Sequence, residues 1–338
     1  MDIVTQGLLG ATLAQTVASK KEIRVATVVG LLAGLLADAD VLIQSASDPL
    51  LTIEYHRHFT HSIFFIPIGA LIASLLMWPL ARKYLTFKRL YVFSLLGYSL
   101  SGFIDACTSY GTHFFWPLMQ ERIAFNIIAI IDPVFTLALI IAVVLSLRRK
   151  QVMPARLGLL FAGLYLLVGW TQHDRAWNMV EQAANARGHV IEKGLVKPTI
   201  GNVLTWRSIY QYKDRLYIDG VRVGILSEPK FYQGANVALF NPEEEFKYMP
   251  RDLVLYQDIL RFVAFSKGYV SIHPDTPNVL GDMRYANNPL GIKPLWGIEM
   301  DLRNPQYHAK YKFYRDLSKT NRQTYFDMLL GRDIKLSQ

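Results

Sequence analysis

The sequence predicts a membrane-embedded all-α helical bundle of about five to six segments, followed by a soluble α+β domain. Long apolar runs separated by short charged loops fill residues 1–170, whereas charged residues recur every few positions across 171–338. The basic residues of the first half cluster beside the apolar runs, as is usual in membrane proteins. We therefore expect a transmembrane helical domain over 1–170 and a soluble domain over 171–338.

The apolar runs have the length of membrane spans, because a helix that crosses the hydrocarbon core needs about 20 mostly apolar residues. The predicted spans are 25–43, 62–80, 90–107, 127–147 and the shorter 157–170. Residues 3–18 are too few and too rich in small side chains for a full span. We expect them to form a half-helix that packs in a hairpin with the next segment.

The charge pattern indicates a bilayer rather than nucleic acid as the partner. The net charge is +9, which in a soluble protein would suggest nucleic-acid binding. Here the basic residues gather in the short loops 20–24, 82–89 and 148–156, so no nucleic-acid partner is expected. The positive-inside rule places these loops in the cytoplasm and, by counting spans, the soluble domain outside it.

The second half reads as a mixture of strands and helices. Residues 190–224 alternate short apolar runs with turn signals, which predicts antiparallel strands. Helical spacing runs from Leu253 to Ser266, and the polar stretch 307–330 is also expected to be helical. The single cysteine, Cys107, excludes an intrachain disulfide and a zinc site built on several cysteines.

Ionisable side chains at membrane depth are costly and by default mark a functional site. In the predicted topology a set of them meets at the outer face of the membrane. The set comprises Asp38, Asp40, His56, Arg57, His58, Thr60, His61, Asp105 and Asp132. Carboxylates and imidazoles are ligands for zinc, manganese or iron. A metal held in this way can supply a nucleophile for hydrolysis.

Each of these residues also has a simpler explanation. Asp38 and Asp40 could equally cap a helix at the interface, and a histidine-rich loop often faces solvent or lipid headgroups. Asp132 precedes Pro133, which is better explained as a helix N-cap followed by proline in the first turn. Asp105 is harder to explain in this way, because it closes a long apolar run and no cation lies near it in sequence.

Five motifs, taken in order and spacing, resemble the YdjM-type family of LexA-regulated inner-membrane proteins, which are predicted metal-dependent hydrolases. The motifs are MDIVTQGLLG at 1–10, GLLADAD at 34–40, HRHFTHS at 56–62, the segment 97–112 and IIDPVFT at 130–136. The most specific of them is HRHFTHS, which has the pattern His-Arg-x-x-Thr-His-Ser. The resemblance covers about residues 1–170.

The resemblance implies a bacterial inner (cytoplasmic) membrane location and a divalent metal ion, with zinc favoured. The implied metal ligands are Asp38, Asp40, His56, His61 and Asp105. If the protein is a hydrolase, we expect Asp38, Arg57 and Asp105 to be its catalytic residues, with a carboxylate as general base and Arg57 binding an anionic substrate.

The sequence departs from the family pattern at two positions. Ser101 stands where the family commonly has a histidine, four residues before Asp105, and Gln6 stands where some members have another. We therefore expect a site with fewer histidines than the family pattern suggests.

Three functions are compatible with these residues. The first is a membrane-bound metal-dependent hydrolase that acts on a lipid, an ester or a phosphoester. The second is a transporter or proton relay, which also uses buried aspartate and histidine, but would spread them through the membrane depth. The third is a non-catalytic membrane anchor for the soluble domain.

Overall fold

The computed structural model describes residues 1–316 and 318–334, and these form two compact units. The first unit contains residues 1–43, 55–171 and 200–203, and the second contains 44–54, 172–199 and the described residues from 204 onward. The α-helices of the described chain are α1 (Ile3–Gln15), α2 (Ile23–Leu36), α3 (Leu51–Tyr55), α4 (Ile66–Ala81), α5 (Phe87–Ser99), α6 (Ser101–Cys107), α7 (Pro133–Arg149), α8 (Met153–Ala186), α9 (Pro242–Glu245), α10 (Val254–Phe265) and α11 (Lys319–Leu329).

Apolar helices dominate the first unit. Four helical segments of the described chain are long and apolar enough to cross a membrane: Ile23–Leu42, Ile63–Ala81, Phe87–Cys107 and Met153–Ala186. The predicted membrane helical bundle is therefore confirmed. Many of the large apolar side chains on these helices are exposed, including Leu75, Leu76 and Leu164, as expected of surfaces that face lipid rather than water.

The spans differ from the sequence prediction in where they begin and break. The helix expected over 127–147 begins only at Pro133, because Asp132 caps it by accepting hydrogen bonds from the backbone N–H groups of Val134 and Phe135. The capping explanation of Asp132 is thus confirmed. The third span is interrupted at Leu100, where α5 ends and α6 begins.

Helices α1 and α2 pack as a close hairpin, as predicted from their small residues. A Cβ atom added at Gly10 would lie 2.5 Å from the carbonyl oxygen of Gly30 and 2.6 Å from that of Gly97. The backbones of α1, α2 and α5 therefore approach each other so closely at this point that only glycine, with no side chain, fits between them.

Two antiparallel sheets form the second unit. Their strands are β1 (Lys193–Pro198), β2 (Thr205–Tyr212), β3 (Arg215–Arg222), β4 (Lys230–Tyr232), β5 (Asn236–Ala238), β6 (Val270–His273), β7 (Thr276–Asp282), β8 (Trp296–Glu299) and β9 (Lys310–Phe313). One sheet has the order β1-β2-β3-β4 with β5 also paired to β3, and the other has the order β6-β7-β8-β9. The predicted strands of 190–224 and the mixed α+β class are confirmed.

The amphipathic helix α10 supplies much of the core of this unit, and it confirms the helix predicted from Leu253 to Ser266. Its buried residues Leu255, Ile259 and Phe262 pack with Leu50 and Ile53 from the segment 44–54. The helix predicted over 307–330 is partly wrong. Residues Lys310–Phe313 pair with β8 as strand β9, and among the described residues of this stretch only those of α11 form an α-helix.

Candidate metal centre

The aspartates and histidines of the first unit are positioned by short 3₁₀ turns at the ends of apolar helices. After α2 the chain tightens into a 3₁₀ turn over Ala37–Leu42, which carries Asp38 and Asp40. A second 3₁₀ turn, Phe59–His61, precedes α4. The short helix α6 carries Asp105 near its end. Three separate segments thus present side chains to one place.

Asp38, His61 and Asp105 form the inner triad of this cluster. The Nε2 atom of His61 lies 3.3 Å from Oδ1 of Asp38 and 2.9 Å from Oδ2 of Asp105. One ligand atom from each residue lies within 4.8 Å of the others. The side chains of His61 and Asp105 are fully buried, and that of Asp38 is 12% exposed. Among the described residues, these three atoms contact one another and the Nε atom of Arg57, and they have no further hydrogen-bond partner.

Asp40 holds the loop around the triad. Its Oδ2 atom accepts hydrogen bonds from the backbone N–H of Arg57 at 2.8 Å and from the Thr60 hydroxyl at 2.6 Å. The same oxygen lies 3.3 Å from Nδ1 of His61, and Oδ1 of Asp40 lies 3.0 Å from Nδ1 of His56. Both oxygens of Asp40 are therefore already engaged by this chain, and Asp40 fixes the ring of His61 from the side opposite to the triad.

Two cations balance the charge of Asp105. The guanidinium Nε of Arg57 lies 3.1 Å from its Oδ2, and the α-amino group of Met1 forms an ion pair with its Oδ1. Arg57 also donates to the carbonyl oxygen of Met1 at 2.9 Å, and its backbone is held at a left-handed φ of 59°. Neither cation lies near Asp105 in the sequence, and both reach it from distant parts of the chain.

The structure brings all five expected ligands into one cluster but in different positions. His56 remains partly exposed and contacts Asp40 rather than the inner triad, although Asp38, Asp40 and His56 also form a group of potential ligands. The ring of His58 packs against those of His113 and Trp116, with distances between ring centroids of 4.3 and 5.6 Å.

The positions that depart from the family pattern lie in the buried interior. The Ser101 hydroxyl donates to the carbonyl oxygen of Gly34 at 3.3 Å. Gln6 is buried, and its amide has no hydrogen-bond partner within the described ranges. The contribution of Tyr98 to the site has no signal in the sequence, because its hydroxyl donates to the backbone carbonyl of Thr60 from an apolar helix.

A second carboxylate–imidazole group, Asp48, Asp258 and His308, lies in the second unit. Here Arg261 donates to both oxygens of Asp48, to both oxygens of Glu54 and to Oδ1 of Asp258. We name this set the Arg261 network. Because a guanidinium already satisfies its carboxylates, it is an ion-pair network rather than a second metal centre.

The comparison with known proteins agrees with the motifs. The family model described as YdjM inner membrane protein matches residues 1–176, which include every residue of the Asp/His cluster. No curated protein and no solved structure matches the chain. The match spans more than half of the sequence, and the cluster of potential metal ligands lies inside it. The chain belongs to the YdjM inner membrane protein family.

Proposed function

We propose that the protein is a membrane-bound, metal-dependent hydrolase that acts on a lipid, an ester or a phosphoester. The observation that supports this proposal is the convergence of two carboxylate oxygens, Asp38 Oδ1 and Asp105 Oδ2, on the single nitrogen His61 Nε2 in a buried place. Buried polar atoms are costly to leave unpaired. One imidazole N–H can donate to only one of the two carboxylate oxygens that it faces, whereas a divalent cation bound to the three atoms would satisfy all of them.

The donor set fits such a cation. Two carboxylates and one imidazole are ligands that zinc accepts in catalytic sites, and we propose zinc as the metal. The contact of Asp40 with Nδ1 of His61 is the arrangement that orients a metal-binding histidine and leaves Nε2 for the metal. When bound, a cation of this kind lowers the pKa of a water in contact with it toward 7 and so supplies a nucleophile at neutral pH.

The residues around the triad have distinct proposed roles. Asp38 keeps 12% exposure, unlike the fully buried Asp105. We assign Asp38 as the general base, because it can exchange a proton with solvent. Arg57 pairs with Asp105 through its Nε atom and places a positive charge beside the site, where an anionic substrate group would bind.

The membrane setting supports a lipid or another amphipathic substrate. Asp38 and Asp105 lie near the ends of apolar candidate spans, and His61 shortly precedes another, which supports a site near the boundary of headgroups and hydrocarbon. From the positions of the basic loops, we propose that this is the outer face of the inner membrane.

Metal analysis of the detergent-purified protein tests the proposal. We expect wild-type protein to retain zinc, and the variants Asp105→Asn and His61→Gln to retain only background metal. The solvent-accessible pair His173 and Asp174 supplies matched controls with the same chemical groups, and His173→Gln and Asp174→Asn should retain full metal content.

Assays of phospholipid and simple ester hydrolysis then separate catalysis from anchoring. Activity that disappears with a chelator and returns with zinc supports the hydrolase. Wild-type protein that holds no metal, or metal-loaded protein that hydrolyses neither class while flux appears in proteoliposomes, would exclude it in favour of transport. A cellular phenotype that survives loss of the triad would favour the anchor.

A further inference from the structure

A groove of about 410 Å³ lies between α7 and α8, close to the turn that joins them. Nine of its lining residues are apolar, among them Ile141, Leu145, Leu157 and Phe161, and the remaining two are Arg149 and Gln151. Its volume falls in the range of about 300–1,000 Å³ that is typical of small-molecule sites. We call it the α7–α8 groove.

Small residues create this groove. A Cβ atom added at Gly158 would lie 2.4 Å from Cβ of Ala142, so the two helices touch there. Beside this contact, Ala138 and Ala142 leave space that larger side chains would fill. The exposed neighbours Ile141 and Leu157 border that space with apolar surface. The walls therefore match a flexible hydrocarbon chain rather than a polar molecule.

The end of the groove near the turn is strongly basic. Arg148, Arg149, Lys150 and Arg156 are all exposed around it. No aspartate or glutamate occurs anywhere between residues 133 and 173. Among the described residues, no ion pair joins Arg149 to a carboxylate. The groove thus combines an apolar trough with an uncompensated guanidinium at its mouth.

We propose that the α7–α8 groove binds an anionic phospholipid, with an acyl chain in the trough and the phosphate on Arg149 and Gln151. A guanidinium matches phosphate oxygens in geometry and charge. Basic pockets between membrane helices are known to take acidic lipid headgroups. Free phosphate would leave the apolar trough uncovered, and a second copy docked about a two-fold axis would bring the same cations together.

Lipid binding to the detergent-purified protein tests this proposal. Native mass spectrometry would count bound lipids, and thermal unfolding would measure the stabilisation by added lipid. Phosphatidylglycerol, phosphatidylcholine with the same acyl chains, and inorganic phosphate are the three probes. We expect phosphatidylglycerol to bind the wild-type protein about fivefold more tightly than phosphatidylcholine, as one cation near a lipid surface provides.

Matched variants locate the site. Arg149→Gln should abolish the fivefold preference, while Arg148→Gln, which does not line the groove, should keep it. Ala138→Phe should fill the trough and weaken both lipids at least fivefold. Leu137→Phe adds the same ring at an exposed position outside the groove and should leave binding unchanged.

Several results would overturn the proposal. Equal binding of the two lipids by wild-type protein would show that the groove does not recognise an anionic headgroup. Equal effects of the Arg148 and Arg149 variants would indicate attraction by diffuse surface charge rather than a site at Arg149. Stabilisation by inorganic phosphate equal to that by phosphatidylglycerol would indicate a phosphate site without an acyl chain. Unchanged lipid binding by Ala138→Phe would place the lipid elsewhere. Because Arg149 is exposed, Arg149→Gln is expected to fold even if Ala138→Phe does not.

Discussion

Asp38 and Asp40 are separated by one residue but are held very differently, which allows their roles to be distinguished. Asp40 has hydrogen bonds on both oxygens, whereas within the described chain Oδ1 of Asp38 faces Nε2 of His61 at 3.3 Å and has no further hydrogen-bond partner. We expect Asp40→Asn to lower zinc affinity about 10–100-fold, the usual effect of losing a group that orients a ligand. Asp38→Asn should reduce binding below detection in a titration against a competing chelator.

The helix-capping residue Asp132 provides the control for this pair. Asparagine is an equally good N-cap, and its amide can donate to the Tyr165 hydroxyl that donates to Oδ2 of Asp132, so Asp132→Asn should leave zinc affinity unchanged and lower the free energy of unfolding by no more than about 1 kcal/mol. Equal losses from Asp38→Asn and Asp40→Asn would show that both aspartates contact the metal directly.

His113 makes stability depend on pH. Its burial, together with the charges of Arg122 and His58, lowers its pKa from 6.5 to about 3. Between these values the unfolded chain binds a proton that the folded chain does not. The free energy of unfolding should therefore fall with decreasing pH, by up to about 1.4 kcal/mol per unit from this residue.

Denaturant unfolding of the detergent-solubilised protein from pH 7 to pH 4 measures this dependence. The variant His113→Gln cannot take up the proton and should show a shallower slope across the same window. A slope identical to that of the wild type would mean that other groups account for the acid sensitivity.

At the scale of residues, the sequence predicts which side chains cluster but not how each is used. Position at the ends of apolar runs marks Asp38, His61 and Asp105, and the structure brings them together. The engagement of Asp40 by Arg57 and Thr60 depends on the path of a 3₁₀ turn, which spacing does not reveal. The pairing of Arg57 with Asp105 joins residues far apart in the chain, so local pattern could not predict it either.

Among the elements, the segment 44–54 depends on Arg261 in α10. The variant Arg261→Met would remove the hydrogen bonds that the guanidinium donates to the carboxylates of Asp48, Glu54 and Asp258. We expect a loss of about 2–3 kcal/mol in the free energy of unfolding, reduced from the sum of the bonds because the network is partly exposed. Hydrogen exchange should rise in residues 44–54.

Arg251 is the matched control for Arg261. It pairs with Glu243, and both side chains are about two-thirds exposed. Arg251→Met should therefore lower the free energy of unfolding by less than about 1 kcal/mol. A similar loss in both variants would show that the Arg261 network contributes no more than a surface ion pair.

The close approach of α1, α2 and α5 gives a prediction at glycine positions. Gly10→Ala places a methyl group 2.5 Å from the Gly30 carbonyl oxygen, so the helices must separate. We expect the free energy of unfolding to fall by roughly 1–3 kcal/mol, as measured by thermal or denaturant unfolding. Gly163→Ala is the control, since nothing lies within 4 Å of the added atom, and helix propensity should make it neutral or stabilising. Equal stability of the two variants would contradict the packing.

Hydrophobic length predicted the elements of the first unit well, and their boundaries less well. The helix expected from residue 127 begins at Pro133 because of a specific cap, and the third span breaks at Leu100. In the second unit, Lys310–Phe313 became a strand through pairing with β8. Such outcomes are decided by partners distant in the chain, which periodicity cannot report.

For the whole molecule, the positions of the basic loops predict the side of the membrane on which the soluble unit lies. We expect a cysteine at Tyr248, which is 91% exposed, to react with a membrane-impermeant maleimide in intact cells. A cysteine at Lys83, in a basic loop, should react only after the membrane is opened. The natural Cys107 is buried and should add little background. The reverse labelling pattern would invert the proposed orientation.

The Arg261 network has a consequence for synthesis of the chain. Asp48 and Arg261 are 213 residues apart, and a ribosome adding about 5–20 residues per second needs roughly 10–40 s to cover that distance. During this interval the carboxylates of Asp48 and Glu54 lack the guanidinium of Arg261. We therefore expect the segment 44–54 to reach its final structure late, and proteases to cleave it more readily in a nascent chain stopped before residue 261 than in the full chain.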